Sequence, residues 1–424
     1  MSIFLNYEEL IKDENKRRAP VLEILEAGVK SVLPEKAMKD FFSGRPDIIP
    51  PKVTVFGWGK ASLRMFSAFK NNYHGDISAG HIITLPGEEI SHDDPTVAIS
   101  YGTHPLPDES SIKSGEKLLS LAEELNEEDT LVCLISGGGS AMFEVPKRGV
   151  ELESLQETYK ILVESGADIH EVNSVRRALS QSKGGQLAKA AHPAEVINIV
   201  ISDVLGNHLE DIASGATVED PLKIKPLEVV KKFNLEEKLD SQILKIIQTY
   251  KPVDKKYFEN VQSHIIADNE KAVWAMHDRA EALGYEPTIY SSYIRGETRT
   301  AAVPFMEATG ELIIGGGETT VTVTGKGRGG RNQEFVLAAL KSLEDGILAS
   351  IGTDGVDGNT DAAGAVGDVK VLETARKKDY DIDFFLEDNN SHEFFNECGG
   401  LIKTGNTGTN VADICVYLRN NNTV

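Results

Sequence analysis

The chain has 424 residues, 40% of them apolar and 26% charged, the composition of a globular protein large enough to bury its own core. Its 44 Lys and Arg against 66 Asp and Glu leave a net charge of −22, and without a Lys/Arg-rich run this speaks against a nucleic-acid binder. The apolar runs near residues 131–135 and 196–201 fall far short of the about 20 residues that a spanning helix needs.

Three cysteines, Cys133, Cys398 and Cys415, are too few and too scattered for a disulfide framework or a zinc site. They fit a reducing compartment. The opening residues carry acids where a signal peptide would carry bases. The expectation is a soluble, cytoplasmic protein with no membrane partner. Small anionic substrates would have to be met by locally placed cations, because the overall field repels them.

In chain order, the first fifty residues have helical spacing. Residues 53–56 form a β-rich run ending in Gly57-Trp58-Gly59, and residues 61–70 read as a helix. Residues 81–85 are another apolar run, 111–125 a helix, and 131–135 a strand that stops at Gly137-Gly138-Gly139. A helix over 152–164 and a strand over 196–201 follow. Continuous apolar strands alternating with helices predict a parallel sheet covered on both faces. The lysine-rich segment 251–256 reads as a linker. Beyond it come a strand at 262–267, a helix at 269–283, strands at 312–314 and 319–324, a helix at 334–343, and strands at 347–351 and 411–418. The second half is therefore α/β as well.

Ligands in open α/β sheets bind beyond the carboxyl ends of strands, so the residues that follow each strand matter most. Gly57-Trp58-Gly59-Lys60 opens a helix, and Lys60 could reach a phosphate; it is not a Walker A loop, and a surface lysine after a tight turn is equally expected. Ser136-Gly137-Gly138-Gly139-Ser140 is a candidate phosphate cradle, favoured over a flexible turn because it ends a buried strand. Arg176 and Lys183 share a face if one helix spans both, although a solvated face is the commoner outcome. Asp203, directly after residues 196–201, suits a metal or a base, and an N-cap role is about as frequent.

In the second half, Gly325, Gly327 and Gly330 formally match G-x-G-x-x-G. The acid that a dinucleotide fingerprint wants after the next strand is misplaced. Arg331 is more informative, because its planar fork matches carboxylate and phosphate oxygens. Asp354, Asp357 and Asp361 crowd one loop without EF-hand spacing, but Mg²⁺ needs only one or two carboxylates. There is no G-x-S-x-G elbow. His104 beside Pro105 is more often structural. Glycine loops, isolated cations and an aspartate loop together suit phosphoryl transfer.

These stretches resemble the type II glycerate kinases. In the first half the resemblance rests on Gly59-Lys60-Ala61, Gly102-Thr103-His104-Pro105, the 136–141 loop, Asn173-Ser174-Val175-Arg176, Lys183-Gly184-Gly185 and Ser202-Asp203-Val204. In the second half it rests on Gly317-Glu318-Thr319, Gly329-Gly330-Arg331-Asn332-Gln333-Glu334, Gly352-Thr353-Asp354-Gly355, Thr360-Asp361-Ala362-Ala363-Gly364 and 404–410. Asn359 and Asn406 stand where proline is expected, which leaves those turns less rigid. The resemblance implies a Rossmann-like three-layer α/β/α domain over 1–235 and a MOFRL-type α/β domain over 236–424, with the active site in the cleft between them.

It also implies ATP-dependent phosphorylation of D-glycerate to 2-phosphoglycerate, with Mg²⁺. Lys60 and Arg331 match the family's functional lysine and arginine. Asp203 is a further catalytic candidate; Ser136, Gly137, Gly138, Gly139, Ser140, Lys183 and Glu318 are candidates for holding the nucleotide, and Asp203 and Asp354 for the metal. A homodimer is allowed. Two other readings compete, an NAD(P)H-dependent hydroxypyruvate reductase and a non-catalytic nucleotide-binding protein.

Overall fold

Strands β1 (Lys52–Trp58), β4 (Thr130–Ile135) and β5 (Glu195–Ile201) are buried along almost their whole length, as expected of strands covered on both faces. With β2 (Asp76–Thr84), β3 (Val97–Tyr101) and β6 (Val261–Ala267) they form one sheet in the order β3-β2-β1-β4-β5-β6. The β3-β2, β2-β1, β1-β4 and β4-β5 pairs are parallel. This is the doubly wound order whose direction reverses between β1 and β4, the place where such sheets bind ligands. Helices Ser62–Asn72 and Glu109–Ala122 make the crossovers. Phe56, Trp58, Cys133, Ile135, Met142 and Phe143 share one core around these strands.

The second sheet is mixed. β7 (Pro287–Glu297), β8 (Leu312–Thr320), β9 (Ile347–Gly352), β10 (Gly364–Asp368), β11 (Leu401–Ile402) and β12 (Asp413–Leu418) lie in the order β11-β10-β9-β12-β8-β7. Only the β7-β8 pair is parallel among its pairs. Phe305, Phe335, Leu337 and Phe394 pack the adjoining core.

The computed structural model describes residues 2–45, 47–88 and 94–419. It divides the chain into two units, residues 37–266 and residues 1–36 joined to 267–424. Both are α/β, and the first has the Rossmann-like order. The boundary differs from the expected 235/236. Residues up to 266 stay with the first unit because β6 completes its sheet. The first 36 residues join the second unit through tertiary contacts that no local pattern encodes. Buried Arg18 forks onto Asp368 at 2.7 and 3.0 Å, and Thr409 donates to the Val32 carbonyl at 2.7 Å.

Three local expectations are corrected. β8 runs unbroken through Gly315-Gly316-Gly317, and the strand expected at 319–324 ends at Thr320. No single helix spans Arg176 and Lys183, because helix Ile169–Leu179 stops at Ser180. The helix expected from Glu334 begins at Arg331.

Candidate active site

At the reversal point of the first sheet, the loops after β1 and β4 are stitched together. The Lys60 amide donates to the Gly137 carbonyl at 2.9 Å, and the Ala61 amide donates to Ser136 Oγ at 3.0 Å. Ser136 is buried, so its hydroxyl serves the scaffold rather than the phosphate contact expected of it.

The glycines that follow clear space for side chains. A Cβ on Gly137 would sit 1.9 Å from Asp203 Oδ2. One on Gly138, where φ is +81°, would sit 3.0 Å from Lys60 Cγ and 3.2 Å from His104 Cδ2. Lys60, His104 and Asp203 therefore converge on one loop, as three separate strand-end motifs. Gly139 opens the short helix Gly139–Met142. Ser140 Oγ lies 2.7 Å from Ser214 Oγ, which donates to Asn173 Oδ1 at 3.1 Å.

His104 and Arg176 were underweighted by sequence reasoning. Burial of the His104 ring, then the charges of Lys60 and Arg176, lower its pKa to about 4. It is a neutral imidazole at neutral pH, set between two cations. Arg176 donates to Asn173 Oδ1 at 3.3 Å and lies over the Tyr159 ring. Their signal was present in Gly102-Thr103-His104-Pro105 and Asn173-Ser174-Val175-Arg176, but a turn histidine and a helix-face arginine are usually structural.

Lys183 occupies a different place from the one expected. Its side chain is 1% exposed and its ammonium lies 2.8 Å from Glu144 Oε2, itself fully buried. It also donates to the Phe143 carbonyl at 2.9 Å. Burial lowers its pKa, against the pull of Glu144. A buried, paired ammonium braces the loop from behind and does not meet a nucleotide.

The second unit builds its own cation site at the start of helix Arg331–Leu340. Arg331 forks onto Asp413 through Nε at 2.6 Å and Nη2 at 3.1 Å, and Nη1 donates to Glu318 Oε1 at 2.7 Å. Burial works against the arginine's charge, but Asp413 and Glu318 outweigh it and raise its pKa. Burial pushes the Asp413 carboxyl up to about 7, against the pull of Arg331 and Asn332. Asp413 carried no motif, since it opens an otherwise apolar strand. Arg331 and Asp354 line one groove of about 670 Å³.

The glycine-rich loop before Arg331 is already spent on the protein itself. The amides of Gly325 and Gly327 donate to Asn389 Oδ1 and the Asp388 carbonyl at 2.9 and 2.8 Å. Those of Arg328 and Gly329 donate to Asn390 and Asn359. The helix start is capped by Asp357, which accepts four bonds from the amides and side chains of Asn332 and Gln333 at 2.9–3.3 Å. A dinucleotide fingerprint needs those amides turned to a pyrophosphate, and here they are committed.

The aspartate loop is partly engaged by the protein itself. Asp361 meets Lys403 and His392 at 2.8 and 3.0 Å, and half-buried Asp354 accepts the Val356 amide at 3.1 Å. The Asp203 carboxylate oxygen abuts the glycine loop, and an oxygen donor of that kind suits Mg²⁺. Among the described residues the one cluster with metal-ligand spacing, His277, Asp278 and Glu281, contains neither Asp203 nor Asp354. No helix of the described residues is long and apolar enough to cross a membrane.

Comparison with known proteins places the chain in a family. Residues 20–248 match a domain of unknown function, DUF4147, and residues 311–413 match the MOFRL family. A D-glycerate 2-kinase from Thermotoga maritima is 36% identical, covering 96% of this chain and 99% of the relative. The crystal structure of a glycerate kinase from Thermotoga maritima superposes with a TM-score of 0.85 at 35% identity, covering 95% of this chain and 99% of that one. A relative from Agrobacterium vitis, 34% identical over 87% of this chain and 99% of its own, carries a provisional name as a hydroxypyruvate reductase. The chain belongs to the glycerate kinase family built from a DUF4147 domain and a MOFRL domain.

Proposed function

We propose that the protein transfers the γ-phosphoryl group of ATP to the 2-hydroxyl of D-glycerate, giving 2-phosphoglycerate and ADP. It is an enzyme, a glycerate kinase, and its substrates are small molecules. The observation that carries the reading is the convergence of Lys60, His104 and Asp203 on the triple-glycine loop at the reversal point of a doubly wound sheet.

Phosphoryl transfer asks a protein chiefly for positioning and for charge neutralisation. Lys60 would neutralise charge on the transferring group. Arg176 adds a second cation. His104, neutral at working pH, can exchange a hydrogen bond with a phosphate or hydroxyl oxygen without adding charge. Asp203 would hold Mg²⁺ or orient the attacking hydroxyl, and Asp354 is the secondary candidate for the ion. Bound Mg²⁺ supplies neutralisation of phosphate charge. Arg331 would grip an oxyanion, the glycerate carboxylate or the moving phosphoryl group. A cytoplasmic setting suits the three cysteines, all free and buried.

The reductase reading is weakened by the committed amides of the Gly325–Gly330 loop. Mixing protein, ATP, Mg²⁺ and D-glycerate should release ADP, and phosphorus NMR of the product should report the 2-phosphate. NADH with hydroxypyruvate should show no absorbance loss. NADH consumption without ADP release would transfer the assignment to the reductase. Neither signal would leave a nucleotide-binding protein.

A further inference from the structure

We infer that Glu318 is an exchangeable counter-ion, which leaves Arg331 for Arg295 on the neighbouring strand when a substrate oxyanion takes its place on the Arg331 guanidinium. The inference rests on the reading of Arg331 as an oxyanion fork.

The two carboxylates on Arg331 are not equivalent. The Asp413 side chain is 11% exposed, makes two bonds to the guanidinium and a third with Asn332 Nδ2 at 2.9 Å, and sits within β12. It cannot leave without stranding a buried charge. The Glu318 side chain is 45% exposed and makes one bond. Breaking an exposed pair of that kind costs little.

The charge count favours an exchange. One guanidinium faces two carboxylates, with Asp357 behind them. A further anion brought to Arg331 would enter a site already overfilled with negative charge. The Nη1 donor held by Glu318 is also the one that is least firmly taken.

The displaced carboxylate has somewhere to go. Arg295 on β7 is the direct register partner of Glu318 on β8, so both side chains leave the same face of the sheet. Arg295 is exposed and lies over the Tyr293 ring. Glu318 thus stands between two arginines. Asp413 is then a positioning residue, which holds the fork in one plane while its third donor changes hands.

The test is calorimetric titration of D-glycerate alone and of Mg·ATP alone into the parent, E318Q, R331Q and the double variant. The carboxylate and the phosphate are thereby separated as sources of the oxyanion. E318Q should tighten one of the two ligands by about two- to fivefold, the size of one exposed ion pair, and the gain should shrink at high salt. The gain should vanish in the R331Q background, and R295Q should weaken the same ligand. Unchanged or weaker binding by E318Q in both arms, while R331Q still weakens one of them, overturns the exchange and spares the fork. If R331Q alters neither ligand, the fork itself is wrong and the exchange falls with it.

Discussion

Two glycine-rich strand-end loops look alike on paper and do opposite work. In residues 136–140 the missing side chains make room for Asp203, Lys60 and His104. In residues 325–330 they make room for the protein's own backbone. A Cβ on Gly325 would lie 2.2 Å from the Asp388 carbonyl oxygen, and one on Gly330 would lie 2.4 Å from the Asp357 carbonyl carbon. A glycine run shows only that something approaches closely. Whether the neighbour is a reactive side chain or a packed loop decides between a site and a scaffold.

The largest effect on stability should come from the ion pair that braces the first loop. Lys183→Met strands Glu144 in the core, and breaking a buried pair costs about 3–5 kcal/mol. Urea denaturation measures it. A variant that keeps parent stability but loses ATP binding would return Lys183 to the nucleotide site and blur the contrast.

A matched pair of alanines sharpens it further. Gly137→Ala pushes on the Asp203 carboxylate, and misplacing a reacting group by about 1 Å can cost about 10²-fold in turnover. Gly325→Ala instead collides with backbone, and overpacking should cost about 1–3 kcal/mol of stability with turnover per folded molecule close to parent. Equal losses of turnover in both would erase the distinction between the loops.

A third contrast lies in pH. His104 titrates near 4 when folded instead of 6.5. Between those values the unfolded chain binds a proton that the folded one refuses, so this contribution is intact above pH 6.5 and is lost as pH falls toward 4. Asp413 has the opposite sign. Its folded value is about 7 against an ordinary 3.8, so the folded chain keeps a proton that the unfolded one has released, and stability falls as pH rises through that window. His104→Gln and Asp413→Asn should each flatten the thermal-stability profile in their own window. Identical profiles for both variants and the parent would contradict the opposed charge environments.

Strands β1, β4, β5 and β9 were legible because burial on both faces leaves a continuous apolar run. The sheet edges were not. β3 and β7 are half-buried or exposed along most of their length; nor was the interior strand β10, which reads Gly-Ala-Val-Gly-Asp with no usable periodicity. Gly315-Gly316-Gly317 looked like a separator, yet these residues lie inside a strand whose glycines admit Ile294 and Asn269. Lys60, the 136–140 loop and Asp203 were legible because strand ends in this architecture gather at one place. Lys183 had the right charge and the wrong burial, and its partner Glu144 lies 39 residues away in sequence, where no spacing rule reaches. Asp413 was missed because a carboxylate at the head of an apolar strand looks like a boundary, and only its fork to Arg331 reveals its use.

ADP release from ATP, Mg²⁺ and D-glycerate by the parent, Lys60→Ala and Arg331→Ala is the most direct measurement. Each variant should stay folded and lose about 10²- to 10³-fold in turnover, the usual cost of removing one charge-stabilising group. Turnover of D-glycerate at the parent rate by either folded variant would contradict its place in the transfer step.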